Sequence, residues 1–83
     1  MARINKKALA ETLETYDVFA ETPKYKIEQF IEDFFSIISS HVVNGDDVAI
    51  SGFGKFEKYT KQDGSFKPKF TAFGEFKSAV KDE

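Results

Sequence analysis

The sequence contains no cysteine, so neither a disulfide nor a thiolate metal site can brace a chain of only 83 residues. At that length a single-chain core is marginal. No apolar run approaches membrane-spanning length and the first residues lack a signal-peptide apolar region, so the expectation is a soluble, intracellular protein with no membrane partner. Histidine occurs once, at His41, on an apolar-rich helical stretch without a carboxylate at helical spacing. It reads as a core-edge or interface residue rather than a catalyst or ligand. Ser39-Ser40-His41 forms no catalytic set, because adjacent helical positions point in different directions. Glu32-Asp33 reads as a solvated helix edge and Asp46-Asp47 as turn chemistry. Gly52-Phe53-Gly54 lacks the third glycine and following helix of a dinucleotide loop; two glycines around a buried phenylalanine more simply allow a bend between strands. Nothing points to an enzyme, a cofactor or a metal.

Aromatics and a segregated charge are what the chain does have. Ten phenylalanines and three tyrosines are many for the length, and a core shared with a second copy would bury them. The net charge is −2, but residues 1–52 hold five Lys/Arg against nine Asp/Glu, while residues 53–81 hold seven Lys against three acids. A local basic patch matters more for phosphate binding than the chain total.

Asn5 is an N-cap candidate for a first helix with Leu9 and Leu13 four residues apart, although Lys6 and Lys7 oppose the helix dipole. Between Thr15 and Glu21 an extended helix or an apolar loop both fit. Thr22-Pro23 starts a second helix that runs to about Val43 and stops at Asn44-Gly45. Its apolar residues, Ile27 to Val42, spread over roughly 160°, wider than the stripe of about 100° that a one-sided helix needs. Such a helix packs against its own sheet and first helix, and against the same helix of another subunit.

Val48, Ile50, Phe53 and Phe56 mark two short strands meeting at Gly52-Phe53-Gly54, and the second enters a hairpin at Asp63-Gly64. A two-residue type I′ turn there pairs Lys58 with Lys69 and Tyr59 with Pro68, and puts Lys58, Thr60, Lys67 and Lys69 on one face. Facing ammonium groups destabilise a hairpin unless a polyanion neutralises them, and a two-stranded ribbon fits a nucleic-acid groove. A solvated lysine ribbon that resists edge aggregation is the plainer alternative. A short helix follows over Glu75–Lys81, with Phe76, Ala79 and Val80 inward and Lys77 and Lys81 outward.

Several segments together resemble the HU and integration host factor family of bacterial histone-like DNA-binding proteins. They are Asn5-Lys6, Phe34-Phe35 with Ile38, Asn44-Gly45-Asp46 with Val48, Ser51-Gly52-Phe53-Gly54-Lys55-Phe56-Glu57, and Ala72-Phe73 followed by Phe76-Lys77-Ser78-Ala79-Val80-Lys81. The resemblance covers nearly the whole chain, residues 1–83 as one domain. It implies an α+β intertwined dimer of two N-terminal helices, a three-stranded antiparallel sheet with a short β-ribbon arm, and a short C-terminal helix. It also implies a saddle that grips double-stranded DNA with little sequence preference.

By position, the resemblance assigns DNA contacts to Lys6, Lys24, Lys55, Lys58, Lys61, Lys67, Lys69, Lys77 and Lys81. It assigns the dimer interface to Phe30, Phe34, Phe35, Ile38, Phe53, Phe56 and Phe73. Location would be cytoplasmic and nucleoid-associated. The family arm is longer and arginine-rich with an Arg-Asn-Pro tip; here the connection is Lys-Gln-Asp-Gly-Ser, Arg3 is the only arginine, and Pro68 does not crown the arm. Asn44 and Asp47 stand where relatives often carry lysine, and the loop before Thr22 is about three residues longer than usual. Short forms of this kind resemble those expected of a phage or another virus. Two functions follow: a homodimeric, non-sequence-specific DNA-binding protein of reduced reach, or a scaffold that has lost DNA and captures a protein such as a cellular HU-type partner.

Overall fold

A computed structural model describes residues 2–81, so Asp82 and Glu83, which complete the charge count, lie outside the described residues. The elements are α1 (Lys6–Leu13), a 3-10 turn (Asp17–Phe19), α2 (Lys24–Val43), β1 (Val48–Ile50), β2 (Gly54–Thr60), β3 (Phe66–Ala72) and α3 (Gly74–Lys81). They fall into two compact units, Met1–Ser36 and Ile37–Glu83.

In the first unit the cap signals translate directly into geometry. Asn5 is extended, and its side-chain oxygen accepts from the Ala8 amide at 2.9 Å, satisfying one of the donors a helix start leaves open. The stretch after α1 is neither a longer helix nor a plain loop: one 3-10 turn places Phe19 against the core and leaves Tyr16 and Val18 exposed. Pro23 stands just before α2, its carbonyl accepting from the Lys26 and Ile27 amides. The core is small: Ala10, Ile27 and Ile31 are buried, with Leu13 and Phe19 packed on them. Leu9, four residues before the packed Leu13, is 45% exposed, one position round the helix from the face that Ala10 buries.

In the second unit α2 closes with a Schellman arrangement. The Asp46 amide donates to His41 O and the Gly45 amide to Val42 O, both at 2.9 Å, with Gly45 at φ +92°. Of the two places expected for His41, the core edge is ruled out within the single chain. The residue is exposed, and its Nδ1 lies 2.9 Å from Asp46 Oδ2, a carboxylate supplied by the turn after the helix rather than by the helix itself.

The sheet is antiparallel in the order β1-β2-β3, with Val48 opposite Phe56 and Phe56 opposite Phe70. Phe53 belongs to neither strand. It closes the turn from Ile50, its amide donating to Ile50 O at 3.0 Å, with Gly52 at φ +76°. Nor is it buried: Phe53 is 42% exposed, although its ring centroid lies 5.1 Å from Phe70 and 5.0 Å from Phe76. Of the α3 residues expected to face inward, Phe76 joins this aromatic cluster while Ala79 and Val80 are exposed.

Gly54 is buried at the start of β2 because no side chain fits there. A Cβ would stand 2.5 Å from the Phe70 ring and 2.6 Å from the Thr71 carbonyl oxygen, and the backbone atom cannot step aside. Gly54→Ala is therefore expected to cost about 1–3 kcal/mol, the usual range for overpacking. In a chain this size that lowers the melting temperature by several degrees, read by thermal circular dichroism.

Candidate nucleic-acid interface

The ribbon of β2 and β3 is one residue out of the register that a type I′ turn would impose. Glu57 faces Lys69, Lys58 faces Pro68, Tyr59 faces Lys67 and Thr60 faces Phe66. The reason lies in the turn. The Lys61 backbone amide donates to Ser65 O at 2.8 Å, which leaves a three-residue connection, Gln62-Asp63-Gly64, and the Gly64 amide returns to Lys61 O. Within this connection Gly64 alone is at positive φ (+88°); Asp63 keeps an ordinary backbone, and its carboxylate accepts from the Ser65 amide at 2.9 Å and hydroxyl at 2.6 Å. A one-residue slip sends each side chain to the opposite face.

The two faces consequently differ from those expected. One carries Phe56, Lys58, Thr60, Phe66, Pro68 and Phe70; the other carries Lys55, Glu57, Tyr59, Lys67, Lys69 and Thr71. Lys58 is thus separated from Lys67 and Lys69, and no lysine directly faces another. Lys58 Nζ lies 4.5 Å from the Phe66 ring centroid and donates to Val43 O at 3.3 Å, capping the end of α2. Pro68 faces Lys58 rather than Tyr59, and it still does not crown the ribbon.

On the opposite face Tyr59 organises the charge. Lys69 Nζ and Lys67 Nζ stand 4.8 Å and 5.4 Å from its ring centroid, within cation–π range. Glu57, which faces Lys69, is engaged by Lys55 at 3.1 Å. That bond and the charge of Glu57 hold the Lys55 ammonium above its ordinary pKa of 10.5. Tyr59 was not among the residues singled out from the sequence, because the wrong register hid it opposite a proline. The available signal was an aromatic diagonal to Lys-x-Lys across a hairpin.

The Asp63 carboxyl is held below its ordinary value of 3.8, first by the Ser65 hydroxyl and then by the Ser65 amide. Because the folded value is the depressed one, the stabilisation is present above the unfolded value and is lost as pH falls through the folded one. Ser65→Ala is expected to move the Asp63 titration up toward the ordinary carboxylate range, as followed by carboxyl-carbon NMR. An unmoved titration would contradict the turn geometry.

The nine lysines assigned from the sequence do not form one set. In the first unit Lys6 is paired with Glu32, and Lys24 lies 3.5 Å from Glu11. In the second, Lys55 and Lys58 are engaged as described. Among the described residues, Lys61, Lys67, Lys69, Lys77 and Lys81 form no ion pair; the first three lie at the ribbon end and the last two on α3.

The phenylalanines assigned to an interface are partly uncovered. Phe30, Phe34 and Phe35 are 49%, 43% and 50% exposed and run on from Phe19 as an aromatic row with centroid spacings of 5.6–6.2 Å. With Leu9, Leu13, Tyr16 and Ile31 they line an open apolar groove in the first unit. Ile38 is buried, Phe53 and Phe56 lie in the aromatic cluster of the second unit, and the Phe73 amide donates to Phe53 O.

Helices ahead of a three-stranded antiparallel sheet, a lysine-bearing ribbon and a closing helix define the HU-type α+β fold. An HU mutant from Thermotoga maritima matches with a TM-score of 0.72 and 25% identity, over 92% of this chain and 97% of that one. The HU of an Anabaena HU–DNA cocrystal shares the fold, with a TM-score of 0.74 and 22% identity over 92% and 96%. The model of the family described as bacterial DNA-binding protein matches residues 4–67, and the chain belongs to that family. Its members bind DNA and are not enzymes, so this chain is not an enzyme. Over 38 residues it is 47% identical to integration host factor subunit alpha of Polaromonas sp. and 42% identical to that of Delftia acidovorans. That stretch is 46% of this chain and 34% of each relative, so it spans about a third of their length. Among the described residues, no helix is long and apolar enough to cross a membrane.

Proposed function

We propose that this chain is an architectural, non-sequence-specific DNA-binding protein that acts as a homodimer and contacts phosphates through lysines of its shortened ribbon and last helix. The observation that carries the reading is the set of unpaired ammonium groups at Lys61, Lys67 and Lys69 on a ribbon whose nearest carboxylates are already committed, Glu57 to Lys55 and Asp63 to Ser65. Family membership supplies the ligand class, and the exposed phenylalanine row of α2 supplies the reason for a second copy. Residues 1–83 then act as one domain completed by its partner, placed on DNA in the cytoplasm, where binding compacts the nucleoid. Seven-residue strands are too short to wrap far round a duplex, so strong bending is not part of the reading.

Binding of this kind releases counterions, and six ribbon lysines per dimer give a slope of roughly −5 for log affinity against log salt. Anisotropy of a labelled duplex at several salt concentrations measures it. Folded protein that binds no duplex at low salt would refute the proposal.

A second reading draws on Lys6, Lys24 and Lys55, whose charge is already met within the chain. On this reading the scaffold has left DNA and pairs with an HU-type protein. Neutralising Lys67 and Lys69 separates the two: it removes DNA binding under the first and leaves partner capture intact under the second.

A further inference from the structure

We infer that Tyr59 is a stacking platform for an unpaired nucleobase, so that the ribbon takes single-stranded nucleic acid as well as duplex. The inference rests on the DNA-binding reading above and adds a ligand class and the residue that selects it. Tyr59 is 39% exposed on a ribbon face that otherwise presents lysines, Glu57 and Thr71. Its neighbours are the chemistry a nucleotide asks for: an aromatic face for the base, and two ammonium groups, 4.8 and 5.4 Å from the ring centroid, for the flanking phosphates.

The two lysines do not close the site. Both are exposed and sit on flexible stems, and an exposed cation–π contact is weaker than stacking of a base on an aromatic ring. A single strand therefore exchanges one for the other: the ammonium groups swing onto phosphates and the base takes the ring. Bases inside a duplex are already stacked on their neighbours and present no free face, so the preference is for unpaired ones. Glu57 does not block the exchange, because Lys55 holds it at 3.1 Å.

The chain has no tryptophan and three tyrosines, so Tyr59 emission is isolated in a Tyr16→Phe, Tyr25→Phe background. The probes are a dT 12-mer, an rU 12-mer, an abasic 12-mer with the same phosphates, and a 12-bp duplex. Stacking predicts that dT quenches the emission and binds at least about fivefold more tightly than the abasic strand. Tyr59→Leu is expected to remove that factor while duplex affinity changes far less, and Tyr59→Phe to retain it. Equal binding of dT and abasic strands, or a loss in Tyr59→Leu that is the same for duplex and single strand, overturns the inference and leaves the duplex reading standing. Failure of all four probes, the duplex included, overturns both. Binding of rU alongside dT assigns the site to unpaired bases of either sugar; binding of dT alone assigns it to DNA.

Discussion

Phe34→Glu is expected to abolish the cooperative fold. Phe34 is 43% exposed in the single chain, yet it sits mid-row, with ring centroids 6.2 Å from Phe30 and 5.6 Å from Phe35. In the proposed dimer that row is covered by a second copy. A carboxylate there is desolvated without a partner, which costs several kcal/mol per subunit on top of the roughly 2–3 kcal/mol of lost phenylalanine burial. Small domains hold only about 5–15 kcal/mol in total, so two such losses leave no stable fold. Thermal circular dichroism should show a broad, weak transition or none, and the variant should not associate. If Phe34→Glu instead melts like the parent, the row is not an interface. Phe34→Leu keeps an apolar surface and should fold, which separates the charge effect from the shape effect.

Lys67→Gln with Lys69→Gln is expected to weaken duplex binding by more than about 100-fold at 0.1 M salt, because a dimer loses four phosphate contacts. The log–log salt slope should become shallower by about 3–4 units. Stability should change little, since two exposed cation–π contacts with Tyr59 contribute at most about 1–2 kcal/mol. Adding Lys58→Gln tests the face assignment. Lys58 stands on the other face and caps α2 through Val43 O, so its removal should lower the melting temperature more than it alters the slope. Unchanged affinity in the double variant, with the fold intact, would move the interface off the ribbon.

What could be read from the sequence was local. Asn5, Thr22-Pro23 and Asn44-Gly45 mark helix ends because caps use groups within a few residues of one another, and the helix boundaries follow them closely. The Gly52-Phe53-Gly54 bend was legible for the same reason, although its phenylalanine is only partly covered. Ribbon register was not legible. Asp-Gly serves both a two-residue turn and a three-residue turn, and the choice falls to Ser65, whose amide and hydroxyl hold Asp63. From that one residue come the separation of Lys58 from Lys67 and Lys69, and the appearance of Tyr59 among lysines. Which lysines carry a neighbouring acid was also hidden, because Glu32 lies 26 residues from Lys6 and Glu11 lies 13 from Lys24.

Two copies must pool their phenylalanines if two lysine ribbons are to act on one stretch of DNA. Sedimentation equilibrium across the micromolar range, in the absence of DNA, measures this directly. The expected mass is twice the 9.4 kDa of the chain, held down to the concentration at which the fold itself is lost. A folded, cooperatively melting species of 9.4 kDa would contradict it.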